Sequence, residues 1–326
     1  MQNKEFSWIE FVRNDDRFWL DIRSNLIGFV AFDPIARISS NLGTGFILGG
    51  AFHLSDVGPM YLAITAKHVV EDAYKFQDIA KYSAHRERRA PSAPSVFFND
   101  ITSIEETKLR AIWMGESHAD MMRIRHISYA KNLDLAVCIL EPQDHSKTAV
   151  EKEARGLLLD VSLPSVGDTV HLVGLTDFKL EGAFSNSGQP FTLHNRPFVR
   201  EAKVLSIEES AMGHYGQCFR VSCPTVGGMS GGFVYKPGIG GSSLGVCGII
   251  SSSPQVQNAN HFSTESDTSI ASILGVLGLD LPFGDPSEKI RLFNLVKQGH
   301  LLDVSKSPSD FILNEFGNDG LSIQIL

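Results

Sequence analysis

The chain has little in it that would carry it to a membrane, a nucleic acid or an oxidising compartment. Its opening residues, Met1-Gln2-Asn3-Lys4-Glu5-Phe6-Ser7-Trp8-Ile9-Glu10, contain no apolar run that could serve as a signal-peptide core. Nowhere does it approach the roughly 18 consecutive apolar residues of a membrane span. Positive charge is in deficit: the formal net charge is −8, which argues against a nucleic-acid partner, because such partners are met with basic surfaces. One basic cluster, His85-Arg86-Glu87-Arg88-Arg89, runs into Pro91-Ser92-Ala93-Pro94 and reads as a solvated loop. Cysteines are few, only Cys138, Cys218, Cys223 and Cys247, and they lack metal-ligand spacing. Cys138 and Cys247 fall inside apolar runs, where a buried, reduced thiol is the ordinary state. The histidines are scattered without close ligand pairs. These absences predict a cytoplasmic protein with free thiols that works without a metal or any other cofactor, away from membranes and nucleic acid.

What is present is material for a large core. The chain has 326 residues, 43% of them hydrophobic, enough for two lobes and a short appendage. Residues 1–25 cluster aromatics among charges and read as a helical or irregular lead-in. From Leu26 onward, short runs rich in Val, Ile and Phe are broken by turn residues, the pattern of strands. One set comprises Leu26–Phe32, Thr44–Leu48, Met60–Ala66, Lys108–Met114, Met121–Ser128 and Leu133–Leu140. A second comprises Thr169–Leu175, Val199–Ile207, Cys218–Ser222, Gly232–Tyr235 and Gly245–Ser251. Glu141–Asp160 is charged, partly helical, and forms the natural linker. Many short strands without long intervening helices predict an all-β fold of two barrels. The expected division is an extension over 1–25, a first barrel over 26–145, a second over 146–282 and a helical extension over 283–326. In that extension Asp285-Pro286-Ser287-Glu288 has the form of a capped helix start and Gly299 of a stop, predicting a helix from about Pro286 to Gln298. Ser307-Pro308-Ser309-Asp310 repeats the start signal, and Leu321–Leu326 reads as a strand.

Three segments carry chemistry. Val226-Gly227-Gly228-Met229-Ser230-Gly231-Gly232 sets a serine among glycines, whose backbone freedom lets successive N–H groups turn toward one point. The N–H groups of Gly228 and Ser230 are candidates for an oxyanion hole. Tyr61-Leu62-Ala63-Ile64-Thr65-Ala66-Lys67-His68 is an apolar run ending in a histidine, and a neutral imidazole is the base best matched to a serine nucleophile near pH 7. Asn132-Leu133-Asp134-Leu135-Ala136-Val137 sets one carboxylate in apolar surroundings, where it needs a partner such as an imidazole N–H.

Thr65-Ala66-Lys67-His68-Val69-Val70, Asp134 in Asp-Leu-Ala-Val, and Gly228–Gly232 resemble the histidine, aspartate and serine motifs of the trypsin-like (chymotrypsin-fold) serine peptidases, in the order of that family. Gly43-Thr44-Gly45-Phe46-Ile47-Leu48 and Val166-Gly167-Asp168-Thr169-Val170 resemble the first strand and the second-barrel entry of its HtrA-type branch. The resemblance spans roughly residues 26–275. It implies two six-stranded antiparallel barrels and a serine endopeptidase with catalytic residues His68, Asp134 and Ser230 and an oxyanion hole at Gly228 and Ser230. It also implies a substrate pocket with its floor at Pro224, lined by Thr225, Ile250, Ser251, Ser252 and Ser253, which suits an uncharged residue before the scissile bond in a protein or peptide substrate. The chain departs from the family in two ways. Only a short tail follows Pro282, too short for a PDZ module. Met229 stands where zymogen-activated members carry an aspartate that pairs with a freed amino terminus. The terminal extensions are candidates for binding a regulatory protein.

Two other readings fit part of the pattern. A trypsin-fold module with an inert site would keep the same residues without turnover. An α/β-hydrolase esterase would use Gly228-Met229-Ser230-Gly231-Gly232 as its nucleophile elbow, with Asp267 or Asp280 and then His300. That elbow requires a helix after the serine, whereas Gly232-Phe233-Val234-Tyr235 reads as a strand.

Overall fold

Leu26-Ile27-Gly28-Phe29-Val30-Ala31 is apolar at every position, and the reason is that both faces of this strand are covered. Leu26 and Val30 join a core cluster shared with the second half of the chain, while Ile27 and Phe29 join one built wholly from the first half. The same period-two division runs along the neighbouring strands: Phe46 and Leu48 go one way and Ile47 the other, Leu62 and Ile64 one way and Tyr61 and Ala63 the other. A third cluster, with Val170, Leu172, Phe219, Val234 and Ile250, belongs wholly to the second half. Two closed interiors and one shared seam are what two side-by-side barrels require.

The computed structural model describes residues 22–33, 38–54, 58–73, 109–115, 119–130, 133–143, 146–182, 191–211, 214–237, 245–251, 267–283, 285–304, 306, 311–316 and 320–325. The first barrel is made of β1 (Leu26–Asp33), β2 (Ile38–Leu54), β3 (Gly58–Thr65), β4 (Leu109–Met114), β5 (Ala119–Tyr129) and β6 (Ala136–Glu141), closed in the order β1-β2-β3-β6-β5-β4. A helix over Lys147–Glu153 and the short β7 (Leu158–Leu159) lead across. The second barrel comprises β8 (Thr169–Gly182), β9 (Phe191–Ala211), β10 (His214–Val221), β11 (Phe233–Tyr235), β12 (Gly245–Ile250) and β13 (Thr268–Ser272). It runs β8-β9-β10-β13-β12-β11 and closes where β11 returns to β8, with β7 added parallel to β12. Neighbours within each barrel are antiparallel. This is the chymotrypsin-like arrangement.

The sixth strand of the second barrel, β13, is absent from the expected set. Its sequence, Thr-Ser-Ile-Ala-Ser, is mostly polar, yet all five residues are buried. The tail also differs from expectation. The segment over Asp285–Arg291 is a strand, β15, paired with β14 (Asp280–Phe283), and the helix is confined to Leu292–Lys297. The local capping signal at Asp285–Glu288 gives way to hairpin pairing, Leu281 opposite Ile290, reinforced by Arg291 Nε to Asp280 Oδ1 at 3.2 Å. The short helix still buries Leu292, Phe293 and Val296. After the second expected helix start, β16 (Phe311–Phe316) pairs with β17 (Gly320–Ile325) as a hairpin. The aromatic lead-in over residues 1–21 lies outside the described residues. No helix among those described is long and apolar enough to cross a membrane.

The two barrels meet along β2, β8, β11 and β12. Phe46 of β2 stands edge-on to Phe233 of β11, ring centroids 5.4 Å apart. Across this seam the Thr44 N–H of β2 donates to the Ser230 carbonyl at 2.7 Å.

Candidate active site

β3 ends at Thr65, and a helix whose described part is 67–73 begins immediately, so His68 falls in its first turn. The first N–H groups of a helix have no partner inside it. The N–H of His68 finds one in Asp134 Oδ1 at 2.9 Å. Asp134 stands just before β6, where the Ala130 N–H donates to the Leu135 carbonyl at 3.0 Å and closes the intervening loop. The other oxygen, Oδ2, lies 2.7 Å from His68 Nδ1 and accepts from the Ser251 hydroxyl at 2.6 Å. Asp134 is only 7% exposed. Burial alone would push its carboxyl up, but the hydrogen bonds and charge of His68, with the Ser251 hydroxyl, outweigh it and hold the pKa below its ordinary value. Facing an ionised carboxylate, Nδ1 is the donor, which leaves Nε2 of the neutral ring as an acceptor.

Ser230 lies on the loop between β10 and β11. Its shape is set by backbone bonds: Met229 N–H to Val226 O at 3.1 Å, Gly232 N–H to Met229 O at 2.9 Å and Gly231 N–H to Ile250 O at 2.7 Å. Gly228 and Gly231 have φ of 96° and 83°, a region in which side chains are strained. A Cβ on Gly231 would stand 2.1 Å from Thr44 O and 2.9 Å from Ala66 N, so this turn is pressed against the chain two residues before His68. The Ser230 carbonyl accepts from the Thr44 N–H at 2.7 Å. A Cβ on Gly43, the residue before Thr44, would stand 2.6 Å from both Ser230 O and Val69 Cγ2, so the serine backbone and the residue after His68 flank one glycine. On Gly228 a Cβ would meet Asn41 Nδ2 and Leu175 O, each at 2.7 Å, so that side of the loop is filled. Among the described residues, the N–H groups of Gly228 and Ser230 donate to no protein acceptor.

Pro224 is exposed, Thr225 is half-buried, and Ile250 and Ser251 are buried; Ser252 and Ser253 lie outside the described residues. Sequence reasoning assigned Ser251 to a pocket wall and missed its bond to Asp134. It also missed Arg200, a buried residue of β9 that donates to the Pro224 carbonyl at 2.9 Å and stacks on the Phe198 ring at 4.8 Å. No local signal marks either one, since their partners are 117 and 24 residues away. Met229 is fully buried in the second barrel's core.

The residues that an esterase would need are not assembled. The serine turn is followed by β11, not by a helix, and Asp267 is paired with Arg220. Asp280 is paired with Arg291 in the tail hairpin. All four cysteines are buried and free, with the thiols of Cys138 and Cys247 pushed up to about 12 by burial. Among the described residues no group of three His, Cys, Asp or Glu side chains could hold a metal ion.

No family model matches the sequence, and no curated protein does either. Solved structures similar to it include those of two proteases. The Rv3671c protease from M. tuberculosis in its active form is 11% identical, with 83% of this chain and 85% of that one covered and a TM-score of 0.42. An inactive form of Rv3671c, a serine-to-alanine mutant, is 12% identical over 84% and 92% of the two chains, at a TM-score of 0.40. The HtrA-type protease AlgW with a decapeptide is 11% identical over 78% of this chain and 63% of that one, at 0.41.

Proposed function

We propose that the protein is a serine endopeptidase in which Ser230 is the nucleophile, His68 the general base and Asp134 the group that orients and charges-balances the imidazole. The observation that carries this reading is the buried Asp134, its two oxygens committed to His68 N–H, His68 Nδ1 and the Ser251 hydroxyl, beside a serine loop pressed onto residues 65–66. A carboxylate so held fixes the tautomer that leaves Nε2 basic and stabilises the imidazolium when it forms. In the reaction Ser230 Oγ attacks the scissile carbonyl while its proton passes to His68 Nε2. The oxyanion that develops is held by the Gly228 and Ser230 N–H groups, which have no competing acceptor among the described residues. His68 then gives the proton to the leaving amine, and water, activated by the same base, releases the acyl group.

The residue before the scissile bond is uncharged in this reading. Pro224, Thr225, Ile250 and Ser251 bring no ionisable group, and the Arg200 guanidinium behind Pro224 adds positive charge that disfavours Arg and Lys. Profiling the purified protein on a peptide library, beside Ser230→Ala, tests both parts. Cleavage after apolar residues that falls about a millionfold in Ser230→Ala is expected. Retained proteolysis in that variant refutes the nucleophile, and dominant cleavage after Arg or Lys refutes the pocket.

A further inference from the structure

Thr44 is wholly buried, and every polar group it owns is committed at the seam between the barrels. Its N–H donates to Ser230 O at 2.7 Å and its carbonyl accepts from the Thr65 hydroxyl at 2.6 Å. Its own hydroxyl accepts from the Leu175 N–H at 2.8 Å and donates to Gly228 O at 2.6 Å. Because the Leu175 N–H approaches the hydroxyl oxygen as a donor, the hydroxyl proton is directed at Gly228. One side chain of the first barrel therefore ties β8 of the second barrel to the serine loop. Its neighbours explain why the middle residue of Gly43-Thr44-Gly45 is the one that can do so. A Cβ on Gly43 would strike Ser230 O and Val69 at 2.6 Å, and one on Gly45 would stand 2.5 Å from the Phe29 ring and 2.8 Å from Ile64 O.

The peptide between Gly228 and Met229 is thereby held at both ends, its carbonyl by Thr44 and its N–H by Val226 O. Its orientation matters because glycine turns either way at little cost, and the two candidate oxyanion donors, Gly228 N–H and Ser230 N–H, lie in the peptides directly before and after it, so a fixed peptide between them limits how far either donor can swing from the oxyanion. The side chain at 229 cannot supply the anchor through an ion pair, since it is a buried thioether. We propose that the Thr44 hydroxyl is the positioning group that keeps the serine loop in its working shape, so that the docking of the two barrels orders the loop without an ion pair at residue 229. This rests on the reading of Ser230 as the nucleophile.

The test compares Thr44→Ser with Thr44→Ala, which both lose the methyl group and differ by one hydroxyl. Thr44→Ser should keep kcat/KM within about threefold of the original, because serine offers the same donor and acceptor. Thr44→Ala should lower it by about 10- to 100-fold, part of the 10²–10³ that removal of an oxyanion donor costs. A peptide boronate, which mimics the tetrahedral species, should lose affinity for Thr44→Ala by the same factor, while a cleaved product peptide binds as before. A loss arising only from general destabilisation would weaken both ligands alike and would overturn the proposal. Amide hydrogen exchange at Met229 and Gly231 should quicken in Thr44→Ala alone, whatever the activity. Unchanged kcat/KM with unchanged exchange would also overturn it. Quickened exchange in a protein that has no peptidase activity even with Thr44 in place would uphold the loop-ordering role and refute the peptidase reading instead. Should Thr44→Ala not fold, Thr44→Cys, a weak donor of similar shape, takes its place with the same expected losses.

Discussion

His68 and Asp134 come to the site from strand ends of the first barrel, and side-chain chemistry holds them there: one carboxylate, three donors and a burial that water cannot relieve. Ser230 comes on a loop of the second barrel, and backbone geometry holds it: two glycines at positive φ, turn hydrogen bonds, and contacts so close that no Cβ would fit at Gly231 or Gly232. The difference teaches where each half is vulnerable. The first half can be altered at constant shape, and it fails through charge and tautomer. The second fails as soon as a side chain is added at Gly231 or Gly232, whatever its chemistry.

The sharpest break in the first half is Asp134→Asn. It preserves shape but presents an amide to Nδ1, which inverts the tautomer preference, and kcat should fall by about 10⁴ while the fold persists. Steady-state kinetics with a circular-dichroism control would check this; a loss under tenfold would show that Asp134 does not act through His68. In the second half, Gly231→Ala adds a single methyl that would stand 2.1 Å from Thr44 O and 2.2 Å from Thr65 Oγ1. Activity should drop by about 10²–10³, as when oxyanion donors are misplaced, and stability by about 1–3 kcal/mol from the forced backbone strain. Unchanged melting and turnover in that variant would mean that the loop is not held as described.

The smallest expected effect is Ser251→Ala, which removes one of the three donors to Asp134. Because the native state holds the Asp134 pKa below its ordinary value, the associated stability is present above the unfolded carboxylate value of about 3.9. It is lost as pH falls through the lower, folded value. Removing a donor raises the folded pKa and narrows that gap, so acid unfolding of Ser251→Ala should begin at a higher pH than that of the original protein. An unchanged acid midpoint would detach Ser251 from the carboxylate.

The two halves were also unequally legible in the sequence. The strands β1, β3, β4 and β12 are written in mostly apolar runs because both their faces are covered, and a covered strand declares itself. β13 does not, because hydroxyl bonds to the backbone, rather than apolar side chains alone, make its burial tolerable: the Thr268 hydroxyl donates to the Cys223 carbonyl at 2.5 Å, and the Ser272 hydroxyl accepts from the Leu274 N–H at 3.3 Å. The tail shows the opposite error. Asp285-Pro286-Ser287-Glu288 is a strong local helix start, but Asp285 is paired with Phe283 and Lys289–Arg291 with Asp280–Pro282, and hairpin pairing on both sides of the signal overrides it. His68, Asp134 and Ser230 stood out because each breaks the pattern around it. Thr44, Ser251 and Arg200 did not, because a threonine, a serine at a strand end and an arginine in a strand look ordinary until the folded chain brings their partners to them.

The central claim is that the two halves meet as one activated nucleophile, and a fluorophosphonate probe reads that directly. Incubation followed by peptide mass spectrometry should place one phosphonyl adduct on Ser230. The adduct should be absent from Ser230→Ala and should form at least about 10³-fold more slowly in His68→Ala, because the serine is weak without its base. A protein that stays unlabelled, or that carries the adduct at equal rate with or without His68, would contradict the account.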